Sequence, residues 1–177
     1  MMIKPDTAIE RARETASGGA RLTLAERQAP AYGAAQLAEG EGNAFAALVE
    51  QLPADRQHAI DAIRVGFPAG VLKDASQYFD VPANRIRAIV RLPETTALAL
   101  QKRGVNMDAG VSERVWRLAD LAHMAREVFD NKEAANDWLR TPNRTFSNTA
   151  PMDYLDTEPG AMSVRQVLNA MATGGLA

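Results

Sequence analysis

Few residues of this chain combine the type and the spacing that chemistry needs. Asp153, Asp156 and Glu158 lie close together, and neighbouring carboxylates can divide proton transfer between an acid and a base. Here they flank a helix end and the Pro159-Gly160 turn, where carboxylates more often serve as caps and solubilising charges. His58 and His123 are distant in sequence, and neither has the His-x-x-x-His or carboxylate-rich spacing of a metal site. With no Cys, disulfides, thiolate catalysis and Cys-based zinc sites are excluded. Gly40-Glu41-Gly42 is a bare Gly-x-Gly with no strand before it, and no phosphate loop, dinucleotide fingerprint or Gly-x-Ser-x-Gly is present. The expectation is a protein that is not an enzyme and carries no cofactor or metal.

Binding chemistry is better represented. Between Val81 and Met107 the basic residues are Arg85, Arg87, Arg91, Lys102 and Arg103, against the single acid Glu94. This local excess sits in a chain whose formal charge is -2 and whose pI is near 5.7, so a nucleic-acid role has to be local. A basic patch of this kind neutralises phosphates. The alternative is a set of short helices with solvated faces.

The elements that would carry these residues are helical. Ala is abundant and strand signals are scarce, so an all-α architecture is expected. Residues 1–42 are punctuated by Gly18-Gly19, Gly33, Gly40 and Gly42, and read as a flexible arm or as one that orders on a partner; Leu22, Leu24, Ala25 and Tyr32 are its candidate anchors. Asn43 suits a cap for a helix with Phe45, Leu48, Val49 and Leu52 on one face. Pro53 suits the start of a helix that buries Ala59, Ile60 and Ile63 and ends at Gly66. Val71, Leu72, Ala75, Tyr78 and Phe79 repeat at helical spacing, and Pro82 and Pro93 each begin a further short helix, the latter stopped by Gly104. Three short helices with very short joints suggest a helix-turn-helix.

Ser112 has the character of a cap for a helix with a wide apolar stripe from Val115 to Phe129, which packs inside the domain or supplies a homodimer contact. Asn131 is expected to cap the next helix, which carries Trp138 and Leu139 and ends at Thr141-Pro142. The loop 143–149 requires a tight turn, and Asn148 tolerates a left-handed backbone. Met152 and Leu155 mark a short helix. Val164, Val167, Leu168 and Met171 mark the last one, stopped by Gly174-Gly175. No apolar run approaches the ~20 residues of a membrane span. Residues 1–19 lack a signal-peptide core, so cytoplasmic residence is expected.

The order Trp138-Leu139, Pro142-Asn143, Phe146, Pro151, Leu155, Gly160, Val164, Leu168, Gly174 resembles the toxin-binding domain of the Xre/MbcA/ParS antitoxins over about a quarter of the chain. Asn148 stands where that family usually has Gly. The resemblance continues upstream, where such antitoxins carry a helix-turn-helix. Pro82–Val90 would be its supporting helix and Pro93–Arg103 its recognition helix. Leu92 matches the apolar turn position, and Thr96 matches a common threonine of the recognition helix. Ser112-Glu113-Arg114 matches the opening of the following helix. Arg91 replaces the usual turn Gly, and Ala99-Leu100 replace a common basic pair.

The resemblance implies three segments: an arm at 1–42, a helix-turn-helix domain at 43–130 and a toxin-binding domain at 131–177. It implies an antitoxin that sterically blocks a RES-class, NAD-consuming or ADP-ribosylating toxin and binds its own operator; a homodimer is expected, because one short recognition helix touches only a half-site. DNA contacts would come from Arg85, Arg87, Arg91, Thr95, Thr96, Gln101, Lys102 and Arg103. Toxin contacts would come from Trp138, Asn143, Arg144, Phe146 and Met162, with Gly174, Gly175 and Leu176 at the mouth of the NAD pocket. For Trp138, plain core packing is the competing reading. The competing function is a helix-turn-helix regulator whose C-terminal domain only dimerises or senses a ligand.

Overall fold

The computed structural model describes residues 42–51 and 56–175. All of them belong to the second of two units into which the chain divides, Ala31–Ala177. The expected N-terminal arm with Leu22, Leu24, Ala25 and Tyr32 lies outside the described residues, as do Leu52, Pro53 and Leu176.

The architecture is all-α. Eight α-helices appear among the described residues: α1 (Ala44–Gln51), α2 (Arg56–Val65), α3 (Val71–Phe79), α4 (Ala83–Val90), α5 (Glu94–Arg103), α6 (Ala109–Phe129), α7 (Lys132–Arg140) and α8 (Glu158–Ala172). Two 3₁₀ helices, η1 (Arg144–Phe146) and η2 (Pro151–Asp156), lie between α7 and α8. No strand occurs among the described residues, and the only bridges there are isolated ones, Pro68 to Asn106 and Asn143 to Thr149.

The 21-residue helix α6 is the axis of the fold. It packs against α1, α2, α4, α7, α8 and η2. It can do so because apolar or small side chains point in several directions: Val111, Val115, Leu118, Ala119, Leu121, Ala122 and Ala125 are all buried. A helix that is apolar over so much of its circumference belongs at the centre of a domain. On one side, Phe45 of α1 meets Tyr78 and Phe79 of α3 with ring centroids 5.3 and 5.4 Å apart, in edge-on and tilted arrangements favoured by aromatic quadrupoles. Burial pushes the Tyr78 phenol up from its ordinary value near 10.

The helix boundaries follow local chemistry. Asn43 caps α1, its Oδ1 accepting from the Ala46 N–H at 2.8 Å. Asn131 caps α7 in the same way through the Ala134 N–H, also at 2.8 Å. Pro82 and Pro93 occupy the cap positions of α4 and α5, one residue ahead of the helices they begin. The ends of α3, α4 and α5 share one device. Asp80, Arg91 and Gly104 each turn left-handed, and the next residue donates back across the last turn: Val81 to Ser76, Leu92 to Arg87, Val105 to Leu100. This is the Schellman closure, with an apolar residue just past the turn. Gly usually fills such a position; Asp80 and Arg91 adopt it despite their Cβ. In the loop after α7, Ser147 and Asn148 are both left-handed, so the tight turn expected there forms over two non-Gly residues.

Two expectations are corrected. Of the face expected for α2, Ala59 is buried, but Ile60 is 37% exposed and Ile63 only half-buried; Ala62 completes the buried face, since a helix lying against α6 presents its small side chains there. Ser112 is not the cap of α6. Asp108 is, with Oδ1 accepting from the Val111 N–H at 2.9 Å. Ser112 lies one turn inside the helix, fully buried, and its Oγ accepts from the Phe67 N–H at 3.0 Å. That bond satisfies a backbone donor of the segment joining α2 to α3, where Met107 N–H also donates to the Phe67 carbonyl at 2.9 Å.

The start of α8 is equally tight. Thr157 caps it, accepting from the Gly160 N–H at 3.3 Å. Gly160 is buried against η2, and a Cβ there would meet the Tyr154 carbonyl oxygen at 2.0 Å. The contact excludes every side chain.

Two substitutions test these joints. Ser112→Ala leaves the Phe67 N–H buried without its acceptor and should destabilise the fold by about 1–3 kcal/mol in a urea titration. A loss under about 0.5 kcal/mol would mean that another group satisfies this donor. Gly160→Ala must push α8 away from η2, and should cost about 1–3 kcal/mol as an overpacked contact. Unchanged stability would show that the helix start yields without cost.

Candidate functional site

The most exposed helix is α5. It has no fully buried residue, and only Ala97 and Leu100 lean on the core. Thr95, Thr96, Gln101, Lys102 and Arg103 are all exposed, as is Leu98 at 59%. Lys102 and Arg103 make no ion pair among the described residues. They sit in the last turn, where cations favour the negative end of the helix. The structure thus brings five of the eight expected DNA contacts onto one solvated helix that follows a left-handed turn.

The other three arginines are engaged elsewhere. Arg85 on α4 makes a two-bond pair with Asp153 of η2, at 2.9 and 2.8 Å, and donates a third bond to the Arg140 carbonyl at 3.2 Å. Arg91 at the turn pairs with Asp156 at 2.7 Å. Arg87 pairs with Glu94 at 3.3 Å. All three acids bind arginines: Asp153 and Asp156 bind those of α4 and of the turn after it, and Glu158, in the first turn of α8, binds Arg117. The positive excess read from residues 81–107 is reduced when acids distant in sequence fold onto it. Only the tertiary contact reveals this.

Arg117 of α6 is 7% exposed and is paired on several sides. Both carboxylate oxygens of Glu113 lie at 2.7 and 2.8 Å, the Glu158 carboxylate at 3.0 Å, and the Leu155 carbonyl at 3.2 Å. Arg165 of α8 reaches Asp120 of α6 in a short pair. Arg140 closes α7 onto the end of α3 through Asp80 and the Phe79 carbonyl, both at 3.1 Å. Its bond to Asp137 pushes its pKa further up, so it stays cationic.

The loop from α7 to η2 is supported by a run of rings. Phe129, Trp138, Phe146 and Tyr154 follow one another at centroid distances of 5.9, 6.1 and 5.3 Å. The Tyr154 hydroxyl donates to the Phe146 carbonyl at 3.1 Å. Asn143 closes the loop, its N–H donating to the Thr149 carbonyl and its carbonyl accepting from Phe146 and Asn148. Of the residues expected at a partner surface, Phe146 is buried at 3% exposure, Trp138 and Asn143 are half-buried, and Arg144 is exposed. Met162 is 51% exposed, and Gly174 and Gly175 are exposed at the end of α8.

The outer face of α8 was not singled out from sequence. Met162, Gln166, Asn169 and Thr173 follow the i, i+4, i+7, i+11 spacing of one stripe, and all are exposed. None is charged. The two charged residues of the helix, Glu158 and Arg165, turn to Arg117 and Asp120. A helix with an apolar inner face and a neutral outer face departs from the usual charged exterior, and interface centres are depleted in charge. The signal was available in the sequence as a gap in the charges between Arg165 and the end of the chain.

No helix among the described residues is long and apolar enough to cross a membrane. Residues 124–174 match the family model described as the antitoxin Xre/MbcA/ParS C-terminal toxin-binding domain. An antitoxin Xre of Pseudomonas putida is 31% identical over 83 residues, 47% of this chain and 52% of that protein. The chain thus spans about half the length of that relative. An antitoxin Xre of Yersinia enterocolitica is 25% identical over 125 residues, 70% of this chain and 84% of that protein. The match to the family model covers α7, η1, η2 and α8 together with the end of α6. Residues 124–174 are thus similar to the toxin-binding domain of the Xre/MbcA/ParS antitoxins, and the chain is similar to two Xre antitoxins over 47% and 70% of its length.

Proposed function

We propose that this protein is the antitoxin of a type II toxin–antitoxin system. It binds a partner toxin of the RES class through its C-terminal domain, covers the toxin's NAD pocket sterically and performs no reaction itself. The observation that carries the reading is the match of residues 124–174 to a toxin-binding domain, and the uncharged outer stripe of α8 within that segment supports it. Met162 is the apolar centre of that contact, with Arg144 and the Gly174-Gly175 end beside it as further contacts. Trp138 and Phe146 hold the loop in shape from beneath. The toxin-binding unit runs over 131–177 and the helix-turn-helix unit over 43–130, in the cytoplasm.

The second task is operator binding by a homodimer, because one short recognition helix reads only a half-site. The exposed face of α5 supports this, with Thr95, Thr96 and Gln101 toward bases and Lys102 and Arg103 on phosphates. The alternative, a regulator without a toxin, is separated from this reading by the toxin arm of the test.

The toxin arm is co-expression with the product of the adjacent reading frame, read by growth and co-purification. Met162→Arg places a charge at the centre of the stripe and should abolish rescue while leaving the thermal midpoint unchanged. Full rescue by this variant would remove α8 from the interface. In the DNA arm, Lys102→Ala with Arg103→Ala should weaken operator binding about tenfold or more and flatten its salt dependence, since two fewer phosphates are neutralised. Unchanged gel-shift curves across salt concentrations would exclude α5 as the DNA-binding helix.

A further inference from the structure

The two arginines that reach from the helix-turn-helix region to η2 are held differently. The Arg85 side chain is 29% exposed and is fixed by two bonds to Asp153 and one to the Arg140 carbonyl. The Arg91 side chain is 54% exposed and is held by one bond to Asp156; the two acids are equally accessible, at 34% for Asp156 and 35% for Asp153, so the difference lies in the arginines and their bonds. Water reaches this second pair, and exposed ion pairs are weak. Arg91 also stands at the left-handed turn immediately ahead of α5. A phosphate oxygen offers a guanidinium the same charge-assisted bond as a carboxylate. Arg91 is therefore a cation beside the proposed DNA-binding helix that already holds an exchangeable anion.

We propose that Asp156 competes with DNA phosphate for Arg91, so that the toxin-binding domain sets how tightly the helix-turn-helix grips its duplex. The Arg85–Asp153 pair is the fixed pin that keeps the competitor within reach. The inference rests on the DNA half of the proposed function and deepens it. Linkage makes the effect reciprocal: DNA that takes Arg91 loosens Asp156 to the same extent, and a partner that draws Asp156 away tightens DNA binding by the same factor. Arg91, which takes the place of a turn Gly, thereby gains a reason to be there. Gly would make the turn without strain but would leave nothing for the acid to mask.

The test is a double-mutant cycle on the full chain. Binding is measured by fluorescence anisotropy to a duplex from immediately upstream of its own gene, and to a scrambled duplex of equal length. Asp156→Asn should tighten binding about two- to fivefold, the factor that corresponds to one exposed ion pair; Asp156→Ser serves as a second replacement. In an Arg91→Gly background, which keeps the left-handed turn, the same substitution should change binding less than about 1.5-fold. Equal tightening in both backgrounds would mean that only general negative charge was removed, and would overturn the proposal. So would an absence of tightening in the parent. Loss of binding in the Lys102→Ala, Arg103→Ala variant without coupling in the cycle overturns the competition alone. Failure of the parent and of Asp156→Asn to bind either duplex at low salt overturns the DNA reading and the competition together.

Discussion

The C-terminal half of the fold depends on one buried cation. Arg117 lies inside the domain on the central helix α6, where an uncompensated guanidinium would cost several kcal/mol. It is compensated by Glu113 from its own helix, Glu158 from the first turn of α8, and the Leu155 carbonyl from η2. These partners come from three elements, so satisfying the charge fixes how η2 and α8 leave the core. Glu158 also favours the positive end of α8, so the same carboxylate serves both the ion pair and the helix dipole. The close approach of Gly160 to the Tyr154 carbonyl then sets the angle between η2 and α8 without a side chain between them.

The upstream helices are governed by how they end. Three successive helices close with the same left-handed residue followed by an apolar one, and this repetition keeps the joints between α3, α4 and α5 to a few residues. Short joints hold α5 at the surface without much burial of its own, so its position is inherited from α3 and α4. The pairs Arg85–Asp153 and Arg91–Asp156 then tie this region to η2, and one buried apolar cluster runs from Phe45 to Leu168. The helices before and after α6 share a core.

Much of this was readable in the chain. Helix starts at Asn43 and Asn131, stops at Gly66 and Gly104, the left-handed Asn148 and a short helix around Met152 and Leu155 all follow from local chemistry, and local chemistry is what sequence records most directly. Ser112 was misread because a serine ahead of an apolar stripe suits a cap. Asp108 took that position, and the hydroxyl instead meets the backbone of a residue 45 positions away. The basic segment shows the same limit: Arg85 and Asp153 are 68 residues apart, and no local pattern announces their pairing. Trp138 and Phe146 show a third limit, since an aromatic residue in a loop motif has the same sequence signature whether it faces a partner or supports the loop from beneath.

The neutral outer face of α8 has a kinetic consequence. Charged rims accelerate association by steering the encounter, whereas a stripe of Met162, Gln166, Asn169 and Thr173 offers no charge of its own for that purpose. In the contact proposed for this helix, the stripe itself adds nothing to an unsteered association rate on the order of 10⁵–10⁶ per molar per second. A tight complex on such a surface gets its affinity from slow departure: its lifetime, more than its speed of formation, determines how long the partner stays covered.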